Sequence, residues 1–156
     1  MFVVATGLLT ISLPQYLETL DNKREHLKRV SRAIRLINVQ AGLWINKNTE
    51  TDATVGANDA GAIRYFGQRK TIDFIGLNNH GIAQRVISLR QAAERLDWMA
   101  VSTSWLRKKH PDMMSKESLS ERLVLKKIIS IEPEEYTVCD CPGQETKMIF
   151  KHNKNI

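Results

Sequence analysis

The chain has 156 residues, of which 42% are hydrophobic and 26% are charged. That suffices for one domain of ordinary size with a real core, and it excludes a chain too polar to fold. A net charge of +6 and a pI near 9.5 point toward an anionic partner, lipid surface or nucleic acid, beside the plainer reading of a basic soluble domain.

Residues 1–14 are nearly all apolar, interrupted at Thr6, Gly7, Thr10 and Ser12. The run is shorter than the roughly 20 apolar residues needed to span a bilayer. It lacks the basic lead-in and small-residue cleavage site of a signal peptide. Two readings remain: the exit end of a membrane helix, or a strand or buried helix of a soluble fold. Pro14 predicts a break after this segment.

Residues 15–48 read as one long amphipathic helix. Leu27, Val30, Ile34, Ile37, Ala41 and Trp44 recur at steps of three and four, which puts them on one face. Gly42 costs about 1 kcal/mol of helix propensity and suits close approach of a second backbone. The opposite face carries Lys23, Arg24, Lys28, Arg29, Arg32 and Arg35, with Asp21 and Glu25 the only acids in 21–35. Such a run is a solvated face or a surface for anionic head groups, where each cation adds about 1 kcal/mol. Arg24, Lys28, Arg32 and Arg35 are the candidate membrane-surface cations.

From residue 49 to 156 the pattern is α/β. Val55–Ala57 is a short buried strand. Asp59 is an N-cap candidate for a helix over Ala60–Phe66, with Gly61 and Gly67 placed to permit the turns. Thr71–Ile75 is a second strand that Gly76 closes. A strand-helix-strand unit predicts a parallel pair with a right-handed crossover. Asp73, set in an apolar strand, needs a partner, and Arg64 or Arg69 is the expected one.

The block Val-Gly-Ala-Asn-Asp-Ala-Gly-Ala-Ile-Arg-Tyr-Phe-Gly, followed by Thr-Ile-Asp-Phe-Ile-Gly-Leu, resembles the soluble C-terminal domain of bacterial polytopic membrane glycosyltransferases. These are relatives of the protein mannosyltransferases and the lipid A aminoarabinose transferase. Asn58, Asp59, Gly61, Ala62, Tyr65, Phe66, Asp73, Gly76 and Leu77 carry the match most closely. Ala41–Ile45 and Thr51–Ala53 fit the lead-in, and Leu96–Val101 with Trp105 fits more loosely. The resemblance implies an extracytoplasmic accessory domain without the membrane-embedded catalytic acid, and it favours a membrane-helix exit for residues 1–14. It also implies the membrane-embedded part of a glycosyltransferase, or anionic lipid, as partner. Basic flanks mark the cytoplasmic side of a membrane helix, so the charge pattern argues for the opposite face.

Leu77–His80 follows the second strand at its carboxyl end, the edge where ligands bind in open α/β sheets. Asp59, Asn78, Asn79 and His80 are therefore the ligand-contact candidates, while Asn79 equally suits an N-cap. Gly81–Leu96 reads as a second amphipathic helix, with Ile82, Val86, Leu89, Ala93 and Leu96 as its stripe. Trp98–Val101 is a third strand. Trp105, amid Arg107, Lys108, Lys109 and His110, reads as a nucleic-acid stacking residue, a membrane-interface tryptophan, or a side chain packed inward from a short helix.

Arg122–Ile131 is an extended stretch and Glu132–Glu135 a turn. Tyr136–Cys141 and Lys147–Phe150 form an antiparallel hairpin about Pro142-Gly143. Cys139 and Cys141 read as ordinary thiols: a metal site needs two more nearby ligands, and a disulfide between them closes a small strained ring. The expected fold is thus a small, largely parallel sheet with flanking helices and a C-terminal antiparallel hairpin, preceded by the long helix.

No phosphate loop, dinucleotide turn, nucleophile elbow or zinc-binding helix is present, and no metal or cofactor is implied. The first functional expectation is a non-catalytic domain of a membrane glycosyltransferase-like protein at a membrane surface. A basic nucleic-acid-binding module and a small enzyme working at Asp59 and Asn78–His80 are the alternatives.

Overall fold

The computed structural model describes residues 2–105, 122–136 and 145–154. Helix α1 covers Phe2–Ile34 and passes straight through Pro14, so neither a break there nor a strand reading of residues 1–14 holds. A π turn at Arg35–Val39 joins α1 to α2, Gln40–Asn48. The fully buried positions of this run are Ala33, Ile37, Ala41 and Ile45. They recur at steps of four, which drift around a helix of 3.6 residues per turn; the wider π turn takes up that drift. Leu27, expected on the packed stripe, is instead 65% exposed.

Strand β1 is Thr54–Ala57, helix α3 is Ala60–Gly67 and strand β2 is Lys70–Asp73. β1 and β2 are parallel, as the strand-helix-strand pattern predicts, with Ala57 opposite Asp73. Gly42 supplies the close approach expected of it. A Cβ there would lie 2.9 Å from Phe66 Cβ and 3.1 Å from the Ala62 carbonyl, so α2 lies directly on α3.

The helix expected over 81–96 is two short pieces, α4 at His80–Ala83 and α5 at Leu89–Ala93. Ser88 opens α5 with a capping box: its hydroxyl accepts from Gln91 N at 3.2 Å while Gln91 Oε1 accepts from Ser88 N at 2.9 Å. A strong local start signal thus divides what the apolar spacing alone reads as continuous.

Strand β3 is Trp98–Ser102, β4 is Leu123–Ser130, and β5 is Thr146–His152. The five strands lie in the order β2-β1-β3-β5-β4. β1 pairs in parallel with β2 and β3, while β5 is antiparallel to both β3 and β4. The sheet is therefore mixed rather than largely parallel. Its antiparallel part sets β5 between β3 and β4. The proposed strand at Tyr136–Cys141, apart from Tyr136, lies outside the described residues, as do Cys139 and Cys141.

Two cores sandwich the sheet. On one face α2 and α3 pack Ala41, Ile45, Ala60 and Ile63 against Val55, Ala57, Ala100 and Ile149. On the other, Ala92 and Ala93 of α5, with Leu96 beyond it, pack against Phe74, Met99, Val101 and Phe150. The helix after β1 and the helices after β2 thus lie on opposite faces, with β1 beside β3 at the middle. In open α/β sheets the ligand crevice lies at such a switch point, here the carboxyl ends of β1 and β3.

Candidate functional site

The residues at that crevice are polar and buried. Asn58, the first residue after β1, is 4% exposed, and Ser102, the last of β3, is 0% exposed. They interlock: Asn58 Nδ2 donates to Ser102 Oγ at 3.2 Å, and Ser102 N donates to Asn58 Oδ1 at 3.1 Å. Lys147, paired with Ser102 across β3 and β5, is 0% exposed and donates to Asn58 Oδ1 at 3.2 Å. Its ammonium also donates to Asp59 Oδ2, which Asn58 Nδ2 approaches at 3.1 Å. Burial holds the Lys147 ammonium below the usual lysine range, and Asp59 opposes that by charge and hydrogen bond.

Asp59 therefore does not act as the expected cap. Its side chain makes no hydrogen bond to the α3 backbone. It neutralises a buried cation instead, because an unpaired ammonium in the core costs far more than an uncapped helix start. The Asp59 side chain is 37% exposed, so one edge of the carboxylate meets solvent while the other meets Lys147. Tyr136 is close enough to feel this charge. Burial, then Asp59 and Glu145, push its phenol up to about 12, which keeps it a hydrogen-bond donor at neutral pH. Chemically this is a fixed carboxylate with a neighbouring phenol, suited to accepting ligand hydroxyl or amine protons. Lys147 itself is out of a substrate's reach.

Asp73, 4% exposed, takes neither Arg64 nor Arg69 as partner. It accepts from Ile75 N at 2.9 Å and Asn78 N at 3.0 Å, folding the loop after β2 over itself. Arg69 instead donates to the carbonyls of Asn46 at 2.8 Å and Thr49 at 2.9 Å, pinning the end of α2. Asn79 is the N-cap of α4, accepting from Ile82 N at 3.3 Å. Asn78 and His80 are exposed at the same edge of the sheet. Among the described residues no hydrogen bond joins Asp59 to Asn78, Asn79 or His80.

The two glycines assigned to turns act otherwise. Gly61 lies in α3 with open space where a Cβ would stand. Gly67 is the last residue of α3, and Gln68, at φ 49°, takes the left-handed position. Trp105 is 2% exposed, stacked on Phe74 with ring centroids 5.2 Å apart and planes 8° from parallel. It belongs to the core and presents no face to lipid or to bases, while Arg107–His110 lie outside the described residues.

A family model described as a domain of unknown function (DUF8728) matches residues 26–147, well over half of the chain. The chain belongs to that family. Compared with curated proteins and with solved structures, it matches none. The DUF8728 match takes in Asn58, Asp59 and Ser102 and has Lys147 as its last residue.

Sequence reasoning about this DUF8728 domain missed Lys147, although a signal was there. Lys147 and Ile149 share one face of β5, and Ile149 is 0% exposed, so the alternation puts a lysine inward. On the opposite edge, Glu50 accepts from the Trp98 indole and from Lys151 Nζ, both at 3.0 Å. Its own backbone N–H and these two donors lower its carboxyl from 4.5 to about 2. A lowered native pKa gives stability that is present above about 4.5 and lost as pH falls toward 2. Solvent screening keeps the gain small. Glu50→Gln is expected to flatten the acid limb of a urea-midpoint series; unchanged slopes would contradict the assignment.

Proposed function

We propose that this DUF8728 domain is a non-catalytic, ligand-positioning part of a membrane glycosyltransferase-like protein, held at the extracytoplasmic membrane surface by its N-terminal helix. The supporting observation is α1 itself. Every residue from 13 to 29 is exposed. Leu13, Tyr16, Leu17, Leu20 and Leu27 are 44–65% exposed, a cost that water imposes and a lipid interface relieves. Lys23, Arg24, Lys28 and Arg29 interleave with them, their stems long enough to lift the charge to head-group level. Lys28 is held by Glu25 at 2.6 Å and Arg32 by Glu135 at 2.9 Å, so Lys23, Arg24, Arg29 and the exposed Arg35 are the cations of this run left for lipid. No described helix is long and apolar enough to cross a membrane, so the proposed contact is with the surface.

Flotation with vesicles tests this. The chain is expected to rise with phosphatidylserine-containing vesicles and to stay behind with neutral ones. Leu17→Glu with Leu20→Glu is expected to abolish recovery without shifting the unfolding midpoint, since neither side chain touches the core. A wild-type chain that stays at the bottom of the gradient with anionic vesicles sinks the proposal. The nucleic-acid alternative loses its stacking platform to the burial of Trp105.

A further inference from the structure

A cavity of about 540 Å³ lies beside the Phe74–Trp105 stack, between the loop after β2 and the start of α5. The nearly buried Phe74 and Trp105 back it, and the more accessible Ile82, Ile87 and Leu89 are packed against the same core. The volume falls within the roughly 300–1,000 Å³ of ordinary small-molecule sites, and seven of the nine described lining residues are apolar, with Arg85 and Ser88 adding polar surface. Ile75, which lines the cavity, is 46% exposed, and nearby Leu77 and Val86 are 84% and 74% exposed.

Among the described residues that line it, one is a cation. Arg85 sits between α4 and α5 with φ at 58°, in the left-handed region that glycine occupies freely and a long side chain does not. Its N–H closes the turn onto the Ile82 carbonyl at 3.0 Å, a bond that any residue makes. Its guanidinium is exposed and has no hydrogen-bond or ion-pair partner among the described residues. The strain, of order 1 kcal/mol, is thus returned by no contact among the described residues. A glycine would serve the turn better. What only the arginine supplies is a forked cation at the mouth of an apolar pocket.

We propose that this cavity binds an anionic amphiphile, with its apolar body against Ile75, Ile82, Ile87 and Leu89 and its carboxylate or phosphate on Arg85. Guanidinium donors match either head group as a two-pronged hydrogen bond. The site is separate from the exposed arm of α1, so it stands whether or not that arm meets lipid.

Arg85→Gly separates the ligand role from a structural one, because it removes the charge and relieves the backbone together. The probes are laurate and dodecyl phosphate below their micelle concentrations, dodecanol as the uncharged partner, and inorganic phosphate as the head group alone. Calorimetry and the tryptophan emission of the full chain report binding. The wild type is expected to take laurate or dodecyl phosphate at least tenfold more tightly than dodecanol or inorganic phosphate. Arg85→Gly is expected to lose that tenfold preference while its unfolding midpoint stays level or rises. Arg85→Lys is expected to recover part of the preference. Equal affinity for laurate in wild type and Arg85→Gly overturns the proposal. So does a wild type that binds neither amphiphile, one that binds inorganic phosphate as well as dodecyl phosphate, or a fall in the Arg85→Gly midpoint. Failure of vesicle flotation alongside tight laurate binding would remove the membrane reading and leave this one intact.

Discussion

Asp59→Ala is expected to destabilise the domain by about 3–5 kcal/mol, more than the roughly 1–2 kcal/mol expected for Lys147→Met. The two partners of the pair are unequal in their access to water. Lys147 is wholly buried, so removing Asp59 strands an ammonium with Asn58 Oδ1 as its one acceptor among the described residues. The Asp59 side chain is 37% exposed, so removing Lys147 lets water take over the carboxylate, and methionine fills the space of the lysine stem. In the double variant the loss is expected to fall back to within about 1 kcal/mol of Lys147→Met alone, because no buried charge remains. Urea midpoints at neutral pH for the four proteins measure the cycle. A larger loss in Lys147→Met than in Asp59→Ala would contradict the account.

The same group sets an alkaline signature. Native Lys147 titrates below its usual 10.5, so the unfolded chain keeps its proton to higher pH and stability rises with pH through that window. Tyr136 works the other way: its native value of about 12 lies above the usual 10.0, so its contribution is lost as pH climbs between them. Lys147→Met is expected to erase the rise and leave the fall.

Trp105→Ala is expected to cost about 3–5 kcal/mol, the range for truncating a buried aromatic. The side chain stacks on Phe74 and packs with Leu96 and Phe150, which tie the residues after β2 to β3 and β5. Trp105→Phe, which keeps a ring on the stack, is expected to lose under half as much. A surface tryptophan would give a midpoint shift of about 0.5 kcal/mol or less. That smaller value, found for Trp105→Ala, would return the residue to a lipid- or base-facing role.

β1 and β3 were legible because each is a short, largely apolar run, and such runs are local, whereas β2 (Lys70–Asp73) starts earlier and ends two residues short of the expected Thr71–Ile75 because Asp73 turns the chain. The use of Gly42 was legible too, since a glycine inside a strong helix pattern needs a packing reason. What local reading missed depends on distant chain. Asn58-Asp59 looks like a capping pair until a lysine 88 residues later enters the same crevice. Asp73 looks like half of an ion pair, yet two backbone N–H groups of its own loop satisfy it before any arginine arrives. The helix over 81–96 failed for a different reason. The apolar spacing is real, but the Ser88–Gln91 box and a left-handed Arg85 restart the chain between two pieces. The residues that carry the candidate sites are the ones where a contact across the sheet, or strain at one backbone position, overrides the neighbouring sequence.

The sheet order has a consequence for how the protein is made. β4 emerges from the ribosome before β5, yet among the described strands its sole neighbour is β5. Until that later strand is threaded between β3 and β4, the half-made chain carries an orphan ribbon with Val124, Leu125 and Ile128 open to other nascent chains. Lys126 and Lys127, in the middle of that ribbon where the register slips by one residue, are the charges that discourage wrong partners during the wait.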